Sequence, residues 1–382
     1  MTGILCLGAG AIGSLVGARL HRAGVPVALV GRGEHLEAIC RDGLSVENPD
    51  GGPDGDLLGD PNRGPRRPEP VRLPAFRTVS EALATRARPF AVILTVKAYD
   101  VDAAAHELAT ALATPPARPL APSTPPAPAP VILCLENGLG SEELVARHFP
   151  EAEILAGAIT LSVERPSPGR LRLLTDHGGI TIGPFQPSTW PSTWPSTRPS
   201  IGLTTAAARL TQALTLAGFR LRFHRRADAV KWSKVLLNLW SNATSAVFDV
   251  PPAQVVADPA LFQIDWQAFR EALRVMRAAG IPAVNLPGYP VRLLALLGRT
   301  LPGGVFGCLL GRKVAGGRGG KMPSLWLDLQ ARRGRSEVGF LNGAVAAAGA
   351  RLGLSTPVNR ALSQALEILT RQMPANAHDV NC

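Results

Sequence analysis

Six residues near the start of the chain, Gly8-Ala9-Gly10-Ala11-Ile12-Gly13, restrict the fold more than any other feature. They follow an apolar run at 4–7 and open a segment, 12–23, whose pattern is helical. Strand, tight glycine turn and helix in direct succession make the first half of a βαβ unit. Each glycine has its own task there. The first permits the turn, the second lets a pyrophosphate approach the backbone, and the third lets the helix pack close to the sheet. The helix N-terminus then presents N–H groups to phosphate oxygens. The spacing predicts a dinucleotide held by residues 8–13, with a merely glycine-rich turn as the alternative.

The rhythm continues beyond the turn. Short β-branched runs at 4–7, 27–30, 92–96, 131–135 and 154–158 alternate with helical patterns such as 101–112, and GGITIG at 178–183 reads as a late strand. Fully apolar strands of this kind belong in a parallel sheet covered on both faces. The expectation is an α/β fold: a Rossmann-type doubly wound parallel sheet over residues 1–224, then a mainly α-helical domain over 225–382. Three stretches interrupt it: 48–70 (Pro, Gly, Asp), 115–130 (Pro, Ala, Thr) and 187–199, with the repeat PSTWPSTWPSTRP. They carry too little apolar surface to offset the entropy of ordering, so they read as solvated loops; a proline-rich docking peptide is the alternative.

Composition bounds the function. With 382 residues, 46% apolar and 18% charged, the chain can bury two cores. A net charge of +11, mainly from arginine, suits anionic ligands. No helix-turn-helix, zinc-finger or aromatic RNA-binding signature accompanies it, so no nucleic-acid partner is expected. The five cysteines (Cys6, Cys40, Cys134, Cys308 and Cys382) show no paired spacing, which points to a reduced, cytoplasmic protein. The apolar run 3–17 has no basic residue before it and is followed by Arg19 and Arg22, unlike a signal peptide, and no membrane span is expected. The seven histidines form no triad or metal-ligand cluster, and His177 reads as structural.

The end of the second strand bears on which dinucleotide is bound. An NAD enzyme usually places Asp or Glu there for the ribose 2′-hydroxyl. Here the sequence is Val30-Gly31-Arg32-Gly33, followed by Glu34. The Arg32 guanidinium can pair with a 2′-phosphate through a forked, charge-assisted contact, so NADPH is favoured; a solvent-facing turn arginine is the alternative.

A second informative region is 229–245, AVKWSKVLLNLWSNATS. Within its apolar background Lys231, Lys234, Asn238, Ser241, Asn242 and Ser245 recur at helical spacing. At about 100° per residue, Lys234, Asn238 and Asn242 drift only about 40° per step and would share one face. Asparagine is a poor helix former and gains nothing on a plain solvent face. The stripe reads as the wall of a polar pocket, the alternative being a weakly polar exposed face.

Taken together, several motifs resemble one family, the ketopantoate reductases (2-dehydropantoate 2-reductases). They are Gly8-x-Gly10-x-x-Gly13, Thr95-Val96-Lys97-Ala98, Glu136-Asn137-Gly138 and Trp232-x-Lys234-x-x-x-Asn238-x-x-x-Asn242, with Pro323-Ser324-Leu325-Trp326-x-Asp328 and Ser336-Glu337-x-x-x-Leu341-Asn342-Gly343 further on. The resemblance implies NADPH-dependent reduction of 2-dehydropantoate to (R)-pantoate, on the route to coenzyme A. It implies that Lys234 is the catalytic lysine and that Asn238, Asn242, Ser324 and Glu337 bind the substrate. It places Lys97 and Asn137 near the nicotinamide and Arg32 at the 2′-phosphate. The active site is then expected in the cleft between the domains. Plain alternatives stand beside three of these: Ser324 as a helix N-cap, Glu337 as a first-turn glutamate facing a helix dipole, Lys97 as a surface lysine.

The chemistry agrees, because hydride delivery to a ketone makes an alkoxide that needs a nearby proton or positive charge. Asn359 and Pro357 also fit the family's C-terminal pattern, whereas a further asparagine expected after the lysine helix has no match near Pro251-Pro252. The segment 287–321 is long and ends in a basic, glycine-rich run, 316–321, readable as a lid or an anion-binding nest. Other readings are a reductase of another branched 2-oxo acid, or a non-catalytic NADPH-binding regulator. A homodimer through the helical domain is the default assembly.

Overall fold

A computed structural model describes residues 3–49, 69–86, 88–114, 128–175, 177–186, 204–307 and 322–373. The loops expected at 48–70, 115–130 and 187–199, and the glycine- and arginine-rich run 312–321, lie wholly or largely outside these residues, as do Cys308 and Cys382. The chain forms two compact units. The first holds the described residues up to position 136 and from 141 to 225; the second holds Asn137–Gly140 and the described residues from 226 on.

The first unit runs β1 (Ile4–Leu7), α1 (Ala11–Arg22), β2 (Val27–Val30), α2 (Gly33–Asp42), β3 (Ser45–Glu47), β4 (Ala75–Phe76), α3 (Val79–Thr85), β5 (Ala91–Leu94) and α4 (Val101–Ala113). It continues with β6 (Val131–Cys134), α5 (Ser141–His148), β7 (Ile154–Ile159), β8 (Val163–Ser167), β9 (Arg170–Leu173), β10 (Ile180–Pro184), α6 (Thr205–Leu216) and β11 (Leu221–Phe223). Eight strands form one sheet in the order β11-β10-β7-β6-β5-β1-β2-β4, parallel except where β10 meets β7. This is the mostly parallel Rossmann-type sheet that the apolar runs predict.

The runs lack polar alternation because both faces are covered. Ile4 and Cys6 pack in one layer with Leu15 and Leu20 of α1 and Leu210 and Leu214 of α6. Leu5 and Leu7 pack in the other with Val79, Val101, Leu108 and Val145. Cys6 and Cys134 are buried, and burial pushes the Cys6 thiol up to about 12.

Two features depart from expectation. A small second sheet, β3-β9-β8, stands apart from the main one. The first unit also ends on a helix and a further strand: α6 leads into β11, which closes the sheet edge. Leu221-Arg222-Phe223 is short and exposed, so it lacks the buried apolar signature of a central strand.

The second unit contains α7 (Ala227–Asn238), α8 (Ala243–Phe248), α9 (Pro252–Ala257), α10 (Pro259–Ala278), α11 (Val291–Thr300), α12 (Ser324–Gln330), α13 (Asn342–Arg351) and α14 (Pro357–Gln372). Its core is aromatic: the Trp240 ring stacks on Phe306 at 5.5 Å between centroids and packs against Phe269 of α10. Glu271 of α10 accepts from the backbone N–H groups of Val358 and Asn359 at 3.0 Å each, capping the start of α14. The Asn342 amide donates to Asn359 Oδ1 at 3.1 Å and ties α13 into the same lock. Those buried asparagines thus serve the packing of three helices. No described helix is long and apolar enough to cross a membrane.

Candidate active site

At the end of β1 the chain makes the glycine turn. Gly8 has φ +114°, and a Cβ there would sit 2.6 Å from Val96 N. A Cβ on Gly13 would sit 2.0 Å from Gly8 O, so α1 can start this close to the turn only with glycine. Gly10, by contrast, faces open space. It is the N-cap of α1 without a side-chain cap, and the first turn of α1 carries no acidic residue. Small Ala9, Ala11 and half-buried Ile12 complete the turn, the last two packing on the unit's core. A backbone ledge of this kind, open on one side and positive through its N–H groups, fits a pyrophosphate.

The turn is braced by a residue that motif reasoning treats only as part of a pattern. The Thr95 hydroxyl donates to Gly8 O at 2.7 Å, and Thr95 N donates to Leu7 O. Two residues on, half-buried Lys97 opens a 3₁₀ turn, its carbonyl accepting from Asp100 N–H at 2.8 Å. The motif at 95–98 thus stands at the same strand ends as the glycine turn, since β5 is the parallel neighbour of β1.

Arg32 is the N-cap of α2. Its side chain is 70% exposed, with Nη2 3.6 Å from Glu107 Oε2. The carboxylate beside it is therefore one on α4, supplied by the fold rather than by the neighbouring sequence. An exposed pair of this kind is worth about 0–1 kcal/mol, too little to hold the guanidinium from a phosphate. Behind it, His35 is buried: its Nδ1 accepts from Gly169 N–H at 2.9 Å and its Nε2 lies 3.2 Å from Ser14 Oγ. Nδ1 is therefore unprotonated and Nε2–H faces the hydroxyl, linking α1, α2 and the β8–β9 turn. Burial, helped by the Arg165 charge, lowers His35 to about 4.

In the second unit the polar stripe is broken. Half-buried Lys234 and Asn238 share a face of α7, which ends at Asn238. Ser241 then adopts φ +53°, and Asn242 becomes the N-cap of α8 instead of a further turn of α7. The expected single helix face over 234–242 is therefore two pieces. Lys231 is buried, and the hydroxyl of fully buried Ser245 has no hydrogen-bond partner among the described residues.

Long-range contacts replace the stripe. Asn238 Nδ2 donates to Asn137 Oδ1 at 3.3 Å, bringing together two predicted site residues 101 positions apart. Asn242 Oδ1 accepts from Leu325 N–H at 3.2 Å. That bond caps α12 from another element, because the N-cap position is Pro323, without a side-chain bond, and Ser324 is the first helical residue. Ser324 is thus not an N-cap, and its hydroxyl stands beside a helix start that Asn242 already serves. Glu337 opens a 3₁₀ turn and is 2% exposed, unlike a solvent-facing partner of a helix dipole.

Residues 4–187 match the ketopantoate reductase PanE/ApbA family, and residues 226–370 match the ketopantoate reductase PanE/ApbA C-terminal family. The chain belongs to the ketopantoate reductase family. As a member it is an NADP-dependent oxidoreductase. It is 26% identical to the 2-dehydropantoate 2-reductase of Halobacterium salinarum, over 96% of this chain and 99% of that one. It is likewise 26% identical to that of Archaeoglobus fulgidus, over 93% and 94%. Among solved structures, the fold resembles a ketopantoate reductase from Ralstonia eutropha (TM-score 0.68, 24% identity, 97% of this chain and 99% of that one). It equally resembles D-mandelate dehydrogenase with NADH and anilino(oxo)acetate (TM-score 0.69, 19% identity, 97% and 99%).

Proposed function

We propose that the protein reduces 2-dehydropantoate to (R)-pantoate with NADPH. The observation that carries this reading is the match of both halves of the chain to the ketopantoate reductase family, and the resemblance of its motifs supports Lys234, Asn137, Asn238 and Asn242 as the lysine and amides of the site. When bound, the reduced nicotinamide supplies the hydride for the 2-oxo carbon. Gly8, Ala9, Gly10, Ala11, Ile12 and Gly13 hold the pyrophosphate, Arg32 the 2′-phosphate, and Lys97 and Asn137 the nicotinamide end.

Lys234 places its ammonium at the carbonyl oxygen, stabilises the developing alkoxide and gives it a proton. Asn238 is oriented by Asn137. Asn242, with Oδ1 engaged by Leu325 N–H, turns its amide donors to the substrate. The Ser324 hydroxyl and the first turn of α12 supply further donors for the carboxylate, and Glu337 accepts from a substrate hydroxyl.

The test is NADPH oxidation, followed by absorbance, with a panel of 2-oxo acids. Preference for 2-dehydropantoate is expected. Preference for another branched 2-oxo acid would reassign the substrate, and no oxidation with any would point to a binding protein. The reading also carries a cytoplasmic location, no nucleic-acid partner and a homodimer, the last checked by light scattering on the purified protein.

A further inference from the structure

Asp265 lies inside α10 among Phe262, Trp266 and Phe269, and is 1% exposed. A carboxylate in such surroundings is costly unless its oxygens are well occupied. Here Oδ2 accepts from the Ser241 backbone N–H at 2.6 Å and the Ser241 hydroxyl at 3.4 Å, and Oδ1 accepts from the Thr244 hydroxyl. The Ser241 donors lie in the connection between α7 and α8, and Thr244 lies in the first turn of α8. The connection's central residue, Ser241, is a non-glycine residue in the left-handed region, a conformation that persists only where its surroundings impose it.

The turn has a consequence for the site. An uninterrupted α7 would place Asn242 one turn beyond Asn238, about 6 Å along the same helix face. Instead Asn242 swings to the N-cap of α8 and reaches Leu325, next to Ser324. The far end of α8 is held similarly, since Asp249, also left-handed, accepts from Trp326 Nε1–H of α12 at 2.6 Å.

We propose that Asp265 is a positioning residue for the reductase: it holds the Ser241 turn, and thereby sets where Asn242 and the Ser324 end of α12 meet the substrate carboxylate. This rests on the reading that those residues bind a 2-oxo acid. Asp265 itself touches neither substrate nor cofactor in this account.

The test uses the full chain with NADPH and 2-dehydropantoate. In Asp265→Ala, KM for the 2-oxo acid should rise on the order of tenfold, the scale of one hydrogen bond lost to a charged carboxylate. NADPH affinity should stay unchanged and kcat should change far less than KM. Asp265→Asn, which keeps one acceptor and the shape, should recover most of the loss. Adding Ser241→Gly to Asp265→Ala should also lower KM again, because glycine enters the left-handed region unaided. Should Asp265→Ala not fold, Ser241→Val serves in its place: it keeps the carboxylate but disfavours the turn, and the same KM rise is expected. An unchanged KM in the folded variants, or a KM rise that Ser241→Gly fails to relieve, overturns the proposal. A wild-type chain that reduces no 2-oxo acid overturns the underlying reading as well, which separates the two failures.

Discussion

The glycine turn of the first unit and the polar face of the second are built from different materials. The turn offers backbone groups, and its demands are local: a left-handed Gly8, an open Gly10, and a Gly13 whose added Cβ would meet Gly8 O. The polar face offers side chains, and the partners that hold them come from far along the chain. Asn238 is held by a residue 101 positions away, Asn242 is engaged by one 83 away, and the turn between them is pinned by Asp265, 24 residues on. A site made of backbone can be compressed into a motif. One made of aimed side chains needs the tertiary structure.

That contrast can be broken at either end. Within the first unit the largest loss of cofactor binding should come from Gly13→Ala, whose Cβ would lie 2.0 Å from Gly8 O and 2.3 Å from Thr95 Oγ1. Overpacking of this kind costs about 1–3 kcal/mol, at times more, and should weaken NADPH and NADH alike. Unaltered binding of both would show that the turn tolerates a side chain. Arg32→Ala should be smaller and selective. We expect about 1.5 kcal/mol, the low end for a hydrogen bond to a charged group because the guanidinium is exposed, lost for NADPH and hardly at all for NADH. Equal weakening of the two cofactors would remove Arg32 from the 2′-phosphate.

A third effect concerns His35 and appears only with pH. Its folded value of about 4 lies below the ordinary 6.5, so between these the unfolded chain binds a proton that the native state refuses. The stability it contributes is complete above about 6.5 and is lost as pH falls toward about 4. His35→Asn, which can still accept from Gly169 N–H but does not titrate, should flatten melting temperature against pH in that window. Identical slopes for wild type and variant would contradict this.

Much of the first unit was legible in the sequence because its strands are buried on both faces. The runs at 4–7, 27–30 and 131–135 carry no competing period, and the structure places strands on each. Edge elements were not legible: β4 has two residues and β11 is mostly exposed, so neither shows the pattern of a covered strand. The polar stripe was half legible. Helical spacing finds Lys234 and Asn238 together, but nothing local marks the break at Ser241, because its cause is a carboxylate on another helix. Glu271 is a similar case, an ordinary helix glutamate in the sequence whose role as the cap of α14 appears only once α10 and α14 pack.

We propose that the first unit holds the dinucleotide through its backbone and that the second performs the chemistry through Lys234. The most direct test pairs NADPH affinity, by fluorescence titration, with steady-state kinetics for Lys234→Ala. Affinity should be nearly that of wild type, while turnover falls by about 10²–10⁴, the usual cost of removing a positioned proton donor. Retention of more than about a tenth of wild-type turnover, well outside that loss, would contradict the account and leave Lys234 a structural residue of α7.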